Sequence, residues 1–387
     1  MTYHHPARRR IGLVPAALAA CLALQGCATI HREPFTEQEQ AQAHIPGIPD
    51  ARFWADSPNA TKMLVSTFRD KLGGTSMLAI SGGSDNGAYG AGLLNGWTKA
   101  GNRPEFSIVT GVSTGALIAP FAFLGVDQDA TLARLYTTTS AKDIFRLRFP
   151  LAIPFAPSAA STKPFEKLIA STMTDALIDR IAGENARGRR LFIGTANLDS
   201  QRMVIWNMGA IASSSAPDRY ALFRQILLAS SSIPALFPPV MIKADAGGRT
   251  VSEMHVDGGT TSQIFVLPDE VLTGDAAPAG ANPRHIYLIV NNKLNGAFHL
   301  VSPKTVGIAT QAFSLNLRSS LGDSIDLSYL YAKARGIDFN LSYIAKDFPG
   351  EDREPFDMVY MQGLFEYGLR LGGSGAFWEK RPPGWED

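Results

Sequence analysis

The sequence is poor in cysteine, in net charge and in basic runs, and each shortage excludes a class of protein. Its 387 residues include two cysteines, Cys21 and Cys27, so no disulfide framework holds the fold and stability must come from a core. The formal net charge is +1 and, beyond Arg8 to Arg10, there is no basic run of the kind that binds nucleic acid, which excludes the usual nucleic-acid-binding classes. A hydrophobic share of 45% supplies ample material for that core.

The first 26 residues have the features of an export signal. Three arginines, Arg8 to Arg10, precede an apolar run over residues 11–24 that is too short to span a bilayer. The run ends in Leu24-Gln25-Gly26-Cys27, which resembles a bacterial lipoprotein signal in which Cys27 becomes the lipidated first residue. A plain secretory signal with Cys27 there by chance is the alternative. The resemblance implies a lipid-anchored protein of the bacterial cell envelope, and we expect the periplasmic or surface face of the outer membrane.

The middle of the chain predicts alternating strands and helices. Residues 77–80 and 106–109 are short apolar runs typical of buried strands, and each is followed by a glycine-containing turn. Helical spacing follows both turns, over residues 89–97 and again from Ser113. Three glycines are expected to let the first of these helices lie close against the sheet: Gly90, Gly92 and Gly96. A strand, a glycine turn and a helix, twice in succession, predict α/β layering.

The second of these turns carries a candidate nucleophile. Gly111-Val112-Ser113-Thr114-Gly115 is a Gly-x-Ser-x-Gly motif between a predicted strand and a predicted helix, the setting of a nucleophile elbow. Flanking glycines permit the sharp turn, and the N-terminus of a helix favours negative charge that develops nearby. We therefore predict that Ser113 is a nucleophile; a serine that only caps the helix is the alternative.

The first turn carries a candidate anion cradle. In Gly82-Gly83-Ser84-Asp85-Asn86-Gly87, successive backbone N–H groups can converge on one oxygen. The turn lacks the Gly-Lys-Ser/Thr ending of a phosphate-binding P-loop and the Gly-x-Gly-x-x-Gly fingerprint of dinucleotide sites. It is therefore better suited to an oxyanion than to a nucleotide phosphate.

These two segments, followed by Asp257-Gly258-Gly259, resemble the patatin-like phospholipase family of Ser-Asp lipid hydrolases over about residues 76–295. The resemblance implies an α/β fold with three α/β/α layers, a mainly parallel central sheet, and a serine lipid acyl hydrolase of the carboxylic ester class without metal or organic cofactor. Its substrate would be a phospholipid or another lipid ester, met at a membrane surface through lipidated Cys27. The family usually has three successive glycines, whereas Ser84 stands third here and keeps its backbone N–H.

The resemblance also implies a role for each motif residue. Asp257 would take the proton of Ser113, forming a catalytic dyad. The expected oxyanion-hole donors are Gly82, Gly83 and Ser84, with Thr114 as a further donor. The remaining motif glycines are Gly87, Gly111, Gly115, Gly258 and Gly259.

Two other readings of the same residues stay open. One is a Ser-His-Asp esterase in which His285 or His299 is the base; the other is a non-enzymatic envelope lipoprotein that binds lipid or a partner. His255 lies two residues before Asp257 and on the same face if that segment is extended. It would orient Asp257, act as a base itself or, as we favour, be a packed or solvent-facing side chain.

We expect four segments along the chain. They are a signal over residues 1–26, a tether and lead-in over 27–75, the patatin-like catalytic core over 76–300, and a mostly helical extension over 301–387 that packs on the core.

Two further segments attract attention by their composition. Residues 141–164 hold three phenylalanines, Phe145, Phe149 and Phe155, with four prolines, and predict a long loop. Such a loop serves as a lid, as a membrane-contact surface or, as we favour, as a connection that packs its aromatics on the core. Residues 229–240 are apolar and bounded by prolines, and they predict either a wall of an acyl-chain pocket or ordinary core.

Overall fold

A computed structural model describes residues 30, 32–57, 75–149, 156–273, 283–296, 300–301, 305–349 and 354–385. The predicted signal over residues 1–26 and the lipidation site Cys27 lie outside the described residues, as do Phe155 and His299.

The described elements alternate between strands and helices for most of the chain. The strands are β1 Arg52–Trp54, β2 Ser76–Ile80, β3 Ile108–Val112, β4 Arg146–Leu147, β5 Ala160–Ser161, β6 Arg190–Asn197, β7 Arg202–Asn207, β8 Val240–Ala246, β9 Arg249–Asp257, β10 His285–Val290 and β11 Asp338–Tyr343. The α-helices are α1 Glu37–Gln42, α2 Gly87–Lys99, α3 Thr114–Leu124, α4 Asp129–Thr138, α5 Ala141–Ile144, α6 Lys163–Thr172, α7 Asp175–Ala186, α8 Met208–Ser213, α9 Arg219–Ser230, α10 Asp269–Thr273, α11 Thr305–Arg335 and α12 Met358–Gly373.

Nine of these strands form one sheet with a parallel centre. Its order is β1-β7-β6-β3-β2-β10-β11, with β9 paired to β6 and β8 paired to β9. The pairs from β6 across to β11 are parallel, and β1, β7, β8 and β9 join antiparallel. Every residue of β2 and β3 is buried, because helices cover both faces of the parallel centre. The predicted α/β/α fold with a mainly parallel central sheet is confirmed.

Each face of the sheet carries its own hydrophobic core. Helices α2, α3, α9 and α12 contribute to the larger cluster, which includes Trp97, Phe121 and Phe365. Helix α11 covers the opposite face with Leu321 and Ile325. Both clusters draw on alternate residues of the same strands, which is the pattern of a sheet buried on two sides.

The glycines of α2 serve two neighbours rather than one. A Cβ at Gly90 would press on Ile289 and Asn291 at the end of β10, so this glycine lets the helix approach the sheet as expected. Gly92 and Gly96 face α12 instead, where a Cβ would collide with backbone carbonyls of that helix. The expectation that all three glycines face the sheet was therefore wrong for two of them. The reason is that α2 lies between the sheet and a helix contributed by the end of the chain.

The segments on either side of the predicted core are more closely integrated than we expected. Strand β1, in the expected lead-in, pairs with β7 and adds an edge to the sheet. Strand β11, in the expected helical extension, pairs with β10 as the other edge. The boundaries at residues 75 and 300 stay predictions, but both flanking segments contribute strands to the central sheet.

Candidate active site

Strand pairing brings the candidate nucleophile and the candidate base together. Along β6, Gly194 is the last partner of β3, through Val112, and Thr195 is the first partner of β9, through Asp257. The C-terminal ends of β3 and β9 therefore meet at one point on the same side of β6. Ser113 is the next residue after β3, and Asp257 is the last residue of β9. Two side chains 144 residues apart in the chain become neighbours in this way.

Ser113 occupies a strained turn between β3 and α3. Its backbone lies at φ 55° and ψ −124°, a conformation that residues with a side chain rarely adopt. The turn is tight enough that a Cβ at Gly111 would collide with the carbonyl of Gly115, and one at Gly115 with the carbonyl of Ile80. This strand–turn–helix geometry is that of a nucleophile elbow, as the motif predicted.

The two side chains form a direct hydrogen bond. Ser113 Oγ donates to Asp257 Oδ2 at 2.6 Å, and the backbone N–H of Gly259 donates to Asp257 Oδ1 at 2.8 Å. Gly258 packs so tightly on the backbone of Gly194 that a Cβ there would clash. Burial raises the pKa of Asp257 from an ordinary 3.8 to about 7, against the lowering effect of its two hydrogen bonds. A carboxyl with that pKa accepts a proton far more readily than an exposed one.

Neighbouring serines fix the elbow. The N–H of Ser113 donates to Ser230 Oγ at 3.0 Å, and that hydroxyl donates in turn to the carbonyl of Gly194. Ser231 Oγ donates to the carbonyl of Ser113, and the carbonyl of Ser232 accepts from the N–H of Asp257. The sequence pointed to residues 229–240 only as an apolar wall, and this run of three serines was a signal that we did not use.

The glycine turn lies beside the elbow, but one expected oxyanion donor is already engaged. The N–H of Gly82 donates to the carbonyl of Gln263 at 2.8 Å, so we withdraw Gly82 from the oxyanion donors. The cause is a loop contact between distant parts of the chain, which no local pattern reveals. Ser84 and Thr114 begin a 3-10 turn and an α-helix, and the first N–H groups of a helix have no acceptor within it. Gly83 remains a candidate with them.

An apolar pocket opens at Ser113. Its wall contains Ser84, Ser113 and Thr114 together, and most of the remaining lining is hydrophobic: Leu117, Phe121, Ile144, Phe165, Leu168, Ile169, Met173, Leu227, Ile233, Phe237, Phe356 and Met361. Gly87 lies just behind Thr114, where a Cβ would clash with the threonine hydroxyl. The lining includes residues from the 229–240 segment, as one of the two sequence interpretations predicted. It also includes Phe356 and Met361, and we did not predict a contribution from beyond residue 300.

The end of the chain also steadies the glycine turn. The N–H of Phe356 donates to Asp85 Oδ2 at 2.7 Å, and Tyr360 Oη donates to Asn86 Oδ1 at 2.7 Å. Asn291, at the end of β10, donates from its side chain to the carbonyl of Ser81. Residues just after β10 and at the start of α12 therefore support a turn that lies two hundred or more positions earlier.

None of the described histidines contacts the Ser113–Asp257 pair. His255 is fully buried, with Nδ1 3.0 Å from Thr195 Oγ1 and Nε2 3.1 Å from Glu253 Oε2, and burial lowers its pKa. It is a packed core side chain, as we favoured. His285 pairs with Ser76 at the start of β2, so it lies at the opposite end of the strands from the elbow. There it bonds the Asp338 side chain. That position is roughly 15 Å along the strands from the elbow, which argues against His285 as the base.

Residues 78–268 match the family model described as patatin-like phospholipase, so the chain carries a patatin-like phospholipase domain. Among solved structures, VipD from Legionella pneumophila is similar at 11% identity and a TM-score of 0.38, covering 91% of this chain and 73% of that one. At that score the likeness adds nothing to the family assignment. A search of curated proteins gives no match. The family implies lipid acyl hydrolase activity in general.

No group of three or more His, Cys, Asp or Glu side chains in the described ranges is arranged to hold a metal ion. No helix in the same ranges is both long enough and apolar enough to cross a bilayer.

Proposed function

We propose that this protein hydrolyses carboxylic esters of lipids through a Ser113–Asp257 dyad and an acyl-enzyme. The observation that carries the proposal is the 2.6 Å hydrogen bond from Ser113 Oγ to Asp257 Oδ2 at the wall of an apolar pocket. The pocket suits a fatty acyl chain, because most of its lining is hydrophobic. A phospholipid or lysophospholipid is the substrate class that the family favours.

In the first half of the reaction, Ser113 Oγ attacks the ester carbonyl carbon while its proton passes to Asp257 Oδ2. The carbonyl oxygen becomes an oxyanion that accepts hydrogen bonds from the N–H groups of Gly83, Ser84 and Thr114. The tetrahedral intermediate then collapses, the bond from carbon to the alcohol oxygen breaks, and Asp257 returns the proton to that oxygen. The alcohol leaves and the acyl group stays on Ser113.

In the second half, a water molecule replaces the alcohol. Asp257 takes a proton from this water as its oxygen attacks the acyl carbon, and the same N–H groups hold the second oxyanion. Collapse breaks the bond to Ser113 Oγ, which regains its proton from Asp257, and the fatty acid leaves. A single carboxyl performs both proton transfers, which its raised pKa of about 7 supports.

We propose further that the mature chain is held at a bacterial envelope membrane through lipidated Cys27. The support is the lipobox-like run before that residue. Metabolic labelling with a fatty-acid analogue, compared between the natural chain and Cys27→Ala, tests this part of the proposal. Equal labelling of both chains would refute it.

The test of the dyad is fatty-acid release from phospholipid vesicles and from a short-chain soluble ester. We expect Ser113→Ala and Asp257→Asn each to lower kcat/KM at least a thousandfold, as loss of a nucleophile or its base does elsewhere. Matched controls are Ser328→Ala, another buried serine, on helix α11, and Asp338→Asn, the carboxyl that bonds His285. Both controls should retain activity.

Other outcomes would identify the rival functions. Activity that survives Asp257→Asn but disappears with His299→Ala would support a Ser-His-Asp esterase. A folded protein that releases no acid from either substrate, and that Ser113→Ala does not alter, would favour a lipid-binding or partner-binding lipoprotein.

A further inference from the structure

Two exposed apolar side chains lie on or just after strand β4, beside the pocket, and the β4–β5 strand pair is called the hairpin below. Strands β4 and β5 pair through Arg146 with Ser161 and Leu147 with Ala160. Leu147 is 70% exposed and Phe149, two residues further on, is 72% exposed. Single exposed apolar residues are common on protein surfaces, but two large ones at one hairpin form a candidate contact with an apolar phase.

The hairpin is attached firmly to the wall of the pocket. Phe145 packs against Phe237 and Phe356, and both of these line the pocket. On the other strand, the N–H groups of Ala159 and Ala160 donate to the carbonyls of Ala235 and Leu236 at 2.9 Å. The expectation that this segment packs its aromatics on the core therefore holds for Phe145 and not for Phe149. Leu147 and Phe149 project from a base that is part of the pocket wall.

Four cations surround a groove on the outer side of this hairpin. The cations Lys142, Arg146, Lys163 and Lys167 line it together with one acid, Asp143, and all four cations are exposed. Within the described ranges, none of them forms an ion pair. The nearby acids are engaged locally, since Asp143 accepts from the N–H of Ser140 and Glu166 from the hydroxyl of Thr162. Four cations against the single carboxylate of Asp143 leave the lining of the groove with a net positive charge.

The positive groove and the acyl pocket share a wall. Helix α6 turns Phe165 and Ile169 towards the pocket and Lys163 and Lys167 towards the groove, while Leu168 lines both. Exposed apolar side chains, a cationic groove and an apolar pocket are thus neighbours on this side of the protein. Anionic headgroups above hydrocarbon are the chemistry that matches this combination.

We propose that the hairpin and its cationic groove form the docking surface for an anionic phospholipid membrane. Leu147 and Phe149 enter the hydrocarbon boundary, and Lys142, Arg146, Lys163 and Lys167 contact lipid phosphates. This inference rests on the proposed function, since docking here would bring the pocket to its lipid substrate. Each cation near an anionic surface strengthens binding about fivefold, so the four together account for roughly six-hundredfold.

The test measures whether the hairpin itself enters the bilayer, and not merely whether the chain binds to vesicles. An environment-sensitive fluorophore is placed on Phe149→Cys in the full chain, which also carries Ser113→Ala, Cys21→Ser and Cys27→Ser. The matched control carries the fluorophore on Leu330→Cys, which is also an exposed apolar residue but belongs to α11 on the opposite face of the sheet. Both proteins are mixed with phosphatidylcholine vesicles, with and without phosphatidylglycerol, and with a quencher confined to the bilayer.

We expect a blue shift and bilayer quenching for the label at 149 on vesicles that contain phosphatidylglycerol, and no change for the label at 330. Replacing the four cations by glutamine should abolish the response at 149. No response at 149, equal responses at both positions, or an equal response on phosphatidylcholine alone would each overturn the proposal. Because these chains lack Ser113, docking is judged separately from hydrolysis, and an inactive natural chain would refute only the proposed function.

Discussion

Replacing Asp257 by asparagine should make the folded protein more stable at alkaline pH. The Asp257 carboxyl is buried, and burial raises its pKa from an ordinary 3.8 to about 7. A carboxyl whose pKa is higher in the folded than in the unfolded state favours folding below the lower value, and that contribution disappears as the pH rises through the higher one. Asparagine has nearly the same shape, accepts from the N–H of Gly259 as before, and donates to Ser113 Oγ.

The size of the effect follows from the pKa difference. Each pKa unit corresponds to about 1.36 kcal/mol, so at pH 8 the buried charge opposes folding by about 4 kcal/mol. At pH 5 the carboxyl is still protonated in the folded state but would ionise in the unfolded state, so it opposes folding by about 2 kcal/mol. The natural chain should therefore lose roughly 3 kcal/mol of unfolding free energy between pH 5 and pH 8 from this group, and Asp257→Asn should not.

Urea unfolding at a series of pH values measures this difference. The quantity to compare is the slope of unfolding free energy against pH, since the slope is independent of the small packing effects of the substitution. Asp175→Asn, which removes an exposed carboxyl bonded to Arg224, is the control and should keep the natural slope. The same slope for the natural chain and for Asp257→Asn would refute the inference that Asp257 is buried with a raised pKa.

Three further outcomes follow from the structure. The kcat/KM for ester hydrolysis should rise about tenfold between pH 6 and pH 8, because Asp257 must lose its proton to act as a base. A flat pH–rate profile would contradict this. Gly96→Ala should destabilise the fold by about 1–3 kcal/mol, because its Cβ would meet the backbone of α12. Gly363→Ala is the control: it faces open space on α12 and should stabilise the fold by up to about 1 kcal/mol. Thermal unfolding of both variants measures the two effects. Arg52→Met should lower the unfolding free energy by about 3–5 kcal/mol, because the fully buried Glu253 carboxylate loses the guanidinium that pairs with it. A denaturant titration that finds a loss of less than about 1 kcal/mol would count against that pairing.

The parts of the site that depend on short stretches of chain were predictable from the sequence. The elbow at Ser113 follows from a strand, a Gly-x-Ser-x-Gly turn and a helix within about fifteen residues, and the structure has all three. The pairing of Ser113 with Asp257 was expected only from the family resemblance. Its physical cause is the meeting of β3 and β9 along β6, which is a matter of strand register across the sheet and leaves no local trace.

Long-range contacts account for what the sequence did not reveal. The engagement of the Gly82 N–H by Gln263 depends on a loop 181 residues later. Strand β1 is three residues long, too short for an alternating pattern to mark it, and its position in the sheet depends on its pairing with β7. The burial of Glu253 could not be predicted from the sequence either, since a charged residue on a strand is normally expected at the surface.

The support that β10 and α12 give to the glycine turn bears on how this protein can be divided. A fragment limited to residues 78–268 would look like a natural minimal unit, but it would lack the strand that lies next to β2 in the middle of the sheet. It would also lose the helix that fits against Gly92 and Gly96 and the Phe356 and Met361 side chains of the pocket wall. Strand β2 would become an apolar open edge, a known cause of aggregation. For expression, crystallisation or grafting, the smallest useful piece therefore extends through α12.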